Sequence, residues 1–269
     1  MSDVAIERVS GDGDYPLCVR RYRPDATAVA QVILLHGVVS HSEWLDPLAR
    51  LLCERGIDVV CPDRRGTGLN ELDRGDAPDS ATLVADIERV RQAVALDGVT
   101  PHLGGFCWGA TYAIACLERA ADRYASLVMI APSVFPVADV GDEIVTGDSG
   151  EASLEPNVPI DRFTSGPRYE DYIIPDPLKT RLVSPRFNSV MVAMNRLLGP
   201  RWAKLDIPTL VLLASDDRLS DNSKHERAFA MLRANPKKKT IIAGEHGLQF
   251  DAPETTAAAI ADWAEPAAA

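Results

Sequence analysis

The chain has 269 residues, of which 46% are hydrophobic and 25% charged. That length and balance suit one large α/β domain whose core needs neither disulfides nor metal ions. With 39 acidic against 28 basic residues the net charge is −11, which argues against nucleic acid or an anionic membrane surface as a partner.

Segments 4–9 and 16–22 read as an antiparallel hairpin at a sheet edge. The opening residues lack the basic stretch and apolar run of a secretory signal, and no apolar stretch is long enough to span a bilayer. A cytoplasmic location is therefore expected. Residues 29–35 (VAQVILL) form a near-continuous apolar run, the pattern of a strand buried on both faces. Segment 42–55 has helical spacing, with Trp44, Leu45, Leu48, Leu51 and Leu52 on one side. A second buried strand is expected over 57–60. The next helix, 80–95, opens on Ser80 as its N-cap and repeats Leu83, Ile87 and Val90 at helical intervals.

A third strand over 99–106 leads into a small-residue helix over 108–121. Further strands are expected at 126–131, 209–214 and 240–243, with helices at 223–235 and 253–263. This alternation predicts an α/β protein: a mostly parallel central sheet with helices on both faces. Residues 1–133 and 201–269 would form that core.

Between them, after the strand ending near Ala131, residues 134–200 break the rhythm. The first part carries Asp139, Asp142, Glu143, Asp148, Glu151, Glu155 and Asp161 without a Lys or Arg; the second part is mixed. Val190, Met191, Met194, Leu197 and Leu198 predict a helix there. Long insertions of this kind are commonly functional or disordered; this one reads as a lid over the active site, the equal alternative for residues 139–155 being a solvated, mobile surface loop. Phe135, Tyr172 and Met191 are its candidate substrate contacts, beside Phe163, Tyr169 and Phe187.

Five cysteines (Cys18, Cys53, Cys61, Cys107, Cys116) without a Cys-x-x-Cys pair fit reduced thiols, most of them packing. No ligand-spaced His/Cys/Asp set implies a metal, and no motif implies an organic cofactor. One cysteine stands apart. Gly105-Phe106-Cys107-Trp108-Gly109 lies between a buried strand and a helix. A turn of this form strains its central residue and exposes that side chain, while the next helix aims its N-terminal amides at it. Those amides favour a thiolate nucleophile.

Such a nucleophile needs a base and a group to orient that base. Of five histidines, His246 in Gly244-Glu245-His246-Gly247 follows the last strand, at the sheet edge where reactive groups of α/β proteins collect. His36 ends the first central strand and reads as a turn shaping the oxyanion pocket. His41 is a candidate substrate contact, while His102 and His225 read as surface or packing residues. Asp217, with Asp216 in reserve, follows the fifth central strand and is placed to hold the His246 Nδ1–H.

The order nucleophile–acid–histidine, with His36-Gly37, the segment Asp63-Arg-Arg-Gly-Thr-Gly68 and Gly244-Glu-His246, resembles the α/β-hydrolase superfamily across nearly the whole chain. The Asp63–Gly68 segment is similar to a largely structural loop of lipase- and thioesterase-like members. The resemblance implies an oxyanion hole built from the backbone N–H groups of Val38 and Trp108, and it supports Asp217 as the acid. Cys in place of Ser is similar to the elbows of dienelactone hydrolases and polyhydroxyalkanoate synthases.

The expected activity is acyl transfer through an S-acyl enzyme, on a small-molecule ester, lactone or thioester. Because that intermediate is a thioester, a CoA- or carrier-protein-bound donor and an acyltransferase outcome stay open. So does a non-catalytic binding role. Arg64 and Arg65 are expected to make salt bridges within their loop, the alternative being contact with an anionic substrate.

Overall fold

The computed structural model describes residues 4–138, 155, 159–166 and 169–265. At the N-terminus β1 (Val4–Ser10) and β2 (Pro16–Tyr22) pair antiparallel, and β2 continues antiparallel onto β4 (Ile57–Pro62). All later pairings are parallel. β4 lies beside β3 (Ala30–Leu35), then come β5 (His102–Phe106), β6 (Leu127–Ile130), β7 (Thr209–Ala214) and β8 (Lys237–Ile242). The eight-stranded order is β1-β2-β4-β3-β5-β6-β7-β8. Every residue of β3, β4, β6 and β7 is buried, which is why each reads as an apolar run without alternation.

Helices cover the sheet: α1 (Asp46–Glu54) packs on α7 (Pro253–Ala264), and α2 (Ser80–Ala93) on α3 (Trp108–Ala120). A 3₁₀ turn, Ser42–Leu45, precedes α1. α5 (Asn222–Met231) connects β7 to β8, and the short α6 (Leu248–Asp251) precedes α7.

Several boundaries differ from the sequence reading, three of them for a plain physical reason. The N-cap of α2 is Asp79, whose carboxylate accepts the Thr82 N–H at 2.7 Å, so Ser80 is already the first helical residue. β5 starts at His102 because Pro101 lacks the N–H a ladder needs. β8 begins at Lys237 instead of Thr240. Its Lys-Lys-Lys start carries no apolar signal, yet it suits an edge strand, where lysines deter further pairing.

Among the described residues of 134–200 the longest element is α4 (Pro185–Trp202), which packs on α3. The Ser184 hydroxyl caps it by accepting the Phe187 N–H at 2.9 Å. The acidic stretch lies outside the described residues apart from Glu155 and Asp161.

Candidate active site

The loops at the C-terminal ends of β3, β5, β7 and β8 bring the sequence candidates together. Cys107 sits between β5 and α3 with φ 55° and ψ −127°, a backbone conformation that side chains rarely adopt. The flanking glycines permit this elbow. A Cβ on Gly105 would lie 2.1 Å from the Gly109 carbonyl oxygen, and one on Gly109 would lie 2.1 Å from that of Leu35. Strand, turn and helix meet there with no room for a side chain. As the first residue of α3, Trp108 keeps an N–H that the helix cannot satisfy.

His246 and Asp217 are wholly buried side chains. The His246 Nδ1–H faces both Asp217 carboxylate oxygens at 2.9 and 3.0 Å. Asp217 also accepts the N–H groups of Leu219 and Ser220, each at 2.9 Å, which fixes the carboxylate in the turn after β7. Burial raises the Asp217 pKa, but the charge and hydrogen bond of His246 outweigh it and hold the group ionised. Burial alone would lower the His246 pKa. The Asp217 carboxylate, through charge and hydrogen bonding, and the neighbouring Cys107 sulfur instead push it up to about 10, while Nε2 has no hydrogen-bond partner among the described residues. Asp216 points elsewhere, accepting the Ser215 hydroxyl at 2.7 Å on an exposed turn.

The loop after β3 lies against the thiol: a Cβ on Gly37 would fall 3.3 Å from the Cys107 Sγ. His36 supports that loop, with Nδ1 bonded to the Gly37 carbonyl at 2.8 Å and Nε2 accepting the Arg64 N–H at 2.9 Å. Val38 follows, 8% exposed. The two arginines do not pair within their own loop. Arg65 reaches Asp86 on α2 at 2.8 and 3.0 Å, while the Arg64 guanidinium donates to the carbonyls of Gly37 and Val38 at 3.1 and 3.0 Å.

Residues 159–166 and 169–180 pack against this edge. Phe163 is buried against the His246 ring at 5.3 Å, Phe106 at 5.5 Å and Trp44 at 5.6 Å. One oxygen of Asp176 accepts His41 Nε2 at 2.8 Å and Trp44 Nε1 at 2.6 Å. His41 is thus tied to the insertion and its Nε2 is occupied. Sequence reasoning missed Asp176, whose only signal is its place between Pro175 and Pro177.

Tyr172 stacks near Trp44 and Phe250 and lines a cavity of about 510 Å³ with Arg20, Glu43, Asp46 and Arg50. Phe135 packs on Trp202 and His225, and Met191 is buried on α4. His225 is a fully buried packing residue, and His102 bonds Ser126 at 2.7 Å. Among the described residues no group of three or more His, Cys, Asp or Glu is placed to hold a metal ion. No helix among them is long and apolar enough to cross a membrane.

Comparison with known proteins adds relatives to this geometry. The profile of the family described as "Serine aminopeptidase, S33" matches residues 26–253. Monoglyceride lipase of Homo sapiens is 26% identical over 262 residues, spanning 92% of this chain and 85% of its own. A soluble variant of monoglyceride lipase from Saccharomyces cerevisiae superposes with a TM-score of 0.85 at 15% identity, over 98% of this chain and 96% of that one. Monoacylglycerol lipase from Paleococcus ferrophilus gives 0.80 at 20% identity, over 92% and 97%.

Proposed function

Because the chain belongs to the family described as "Serine aminopeptidase, S33", within the α/β-hydrolase superfamily, we propose that it is an ester hydrolase whose nucleophile is Cys107. The observation that carries this reading is the strained elbow: it sets the thiol at the N-terminus of α3, within the electrostatic reach of a histidine held by a buried aspartate. The relatives named as monoglyceride lipases support a carboxylic ester of glycerol or a similar small alcohol as substrate.

In the proposed cycle the Cys107–His246 pair rests as thiolate and imidazolium. The thiolate attacks the ester carbonyl carbon, and the pair of electrons displaced onto oxygen is held by the N–H groups of Val38 and Trp108. The C–O bond then breaks, and the departing alkoxide takes the Nε2 proton of His246. Water attacks the resulting thioester while His246 accepts one of its protons. Acid is released and the ion pair is restored. Asp217 keeps the Nδ1 proton in place throughout. Residues 134–200 act as a lid, a reading supported by the Phe163 ring against His246 and by the attachment of Asp176 to His41 and Trp44.

The sulfur itself favours a second reading. An S-acyl enzyme exchanges nearly evenly with other thioesters, so a CoA or carrier-protein donor and an alcohol or amine acceptor also suit Cys107. Monoacylglycerols, p-nitrophenyl esters and acyl-CoA, each offered with and without an alcohol acceptor, separate the two. Hydrolysis of the oxygen esters without an acceptor supports the first reading. Turnover only from acyl-CoA with an acceptor supports the second. No turnover of any donor sinks both in favour of a binding role.

A further inference from the structure

The Gly37 carbonyl and the Val38 N–H are two ends of one planar peptide group, so whatever binds the oxygen orients and polarises the hydrogen. Two donors converge on that oxygen. Arg64 Nη1 donates at 3.1 Å and His36 Nδ1 lies at 2.8 Å. The His36 tautomer follows from its other side, because a backbone N–H, that of Arg64, must donate to Nε2 at 2.9 Å. The ring is neutral, since burial and the neighbouring Arg64 charge hold its pKa well below the usual range. Its proton therefore sits on Nδ1 and points at Gly37. The same guanidinium grips the next carbonyl, Val38, through Nη2 at 3.0 Å, so the peptides on both sides of the Val38 Cα are held.

Arg64 is 3% exposed, and its Nε has no hydrogen-bond partner among the described residues. Burial draws its pKa down to about 10, which leaves it cationic at neutral pH. The adjacent Arg65 is neutralised by Asp86 at 2.8 Å. Arg64 instead rests against the rings of Phe187 at 4.6 Å and Trp108 at 5.5 Å, and it forms no ion pair among the described residues. Asp63 acts on it only through space, its carboxylate being taken up by the N–H groups of Ser42 and Leu69, and a buried cation with no direct ion pair is costly in the resting protein. It becomes favourable when negative charge develops nearby, and the peptide it binds lies beside the Cys107 sulfur.

We propose that Arg64 is a positioning residue for the oxyanion step, fixing and polarising the Gly37–Val38 peptide whose N–H receives the charge that develops on the substrate oxygen. This rests on the reading of Cys107 as an acyl-transfer nucleophile, and its test separates the two. Iodoacetamide alkylates a thiolate by displacement at carbon and forms no oxyanion, whereas p-nitrophenyl acetate must pass through one.

Arg64→Met is expected to lower the acylation rate and kcat by about 10- to 100-fold, with KM and the rate of Cys107 alkylation within about twofold of wild type. Arg64→Lys, which keeps the charge but not the fork, is expected to fall between them. Acylation and alkylation declining together, or neither declining, would overturn the proposal. Should Arg64→Met fail to fold, Arg64→Lys carries the test, since one ammonium cannot reproduce both carbonyl bonds and must lose acylation selectively. A normal wild type with an unaffected variant removes this inference alone. A wild type that iodoacetamide labels but no ester or thioester acylates removes the acyl-transfer reading and the inference with it.

Discussion

The His246 ring sits between a carboxylate on Nδ1 and the Cys107 thiol, and its pKa rises to about 10 against the pull of burial. An imidazolium of that strength persists across neutral pH, the charge that the proposed thiolate needs beside it. Alkylation of Cys107 by iodoacetamide at pH 7 should therefore be faster in the wild type than in His246→Ala. Equal rates in the two proteins would contradict the ion pair.

The acid is equally specific. Asp217→Asn should reduce turnover by about 10³- to 10⁴-fold by stabilising the wrong tautomer, whereas Asp216→Asn, on the exposed turn, should leave it near wild type. Steady-state kinetics on the two variants distinguishes them. At this scale the strand-end placement of Cys107, His246 and Asp217 was legible, because each directly follows a strand in the sequence pattern. The contacts of Arg64 were not. Nothing in Asp63-Arg64-Arg65 says which arginine finds a carboxylate, because that partner, Asp86, lies on another helix.

Among the elements, the elbow is where sequence and packing agree most closely. Gly105→Ala would press a methyl into the Gly109 carbonyl, with both groups fixed by β5 and α3. A loss of about 3 kcal/mol is expected, at the upper end of overpacking costs, and chemical denaturation of the variant measures it. An unchanged midpoint would mean that the turn can open without cost.

Strands buried on both faces were readable as apolar runs, and β7 matched the sequence reading end to end. β8 was half missed because an edge strand need not be apolar: Lys237 pairs across from Thr209 and spends its ammonium on the last carbonyls of α5. The start of α2 was misplaced by one residue because serine and aspartate are both good caps and stand side by side at 79 and 80.

For the molecule as a whole, the insertion is joined to the sheet edge at a few named points, Asp176 foremost among them. Burial raises the Asp176 pKa, but the hydrogen bonds from His41 and Trp44 outweigh it and bring it to about 2, below the ordinary 3.8. A carboxylate depressed in the folded state contributes stability above its unfolded pKa and loses it as pH falls through the folded one. The stability gap between wild type and Asp176→Asn should thus be full above pH 4 and close between pH 4 and 2. Thermal melts across that range check it, and a constant gap would contradict it. None of this attachment was visible in the sequence, where Asp176 and His41 stand 135 residues apart.

The central claim is that Cys107 carries the acyl group. Intact-protein mass spectrometry after rapid mixing with p-nitrophenyl butyrate tests it most directly. An adduct of one acyl mass on Cys107 that decays in water and is absent from Cys107→Ala is expected, together with ester turnover. Turnover that survives in Cys107→Ala, or an adduct on another residue, would contradict it.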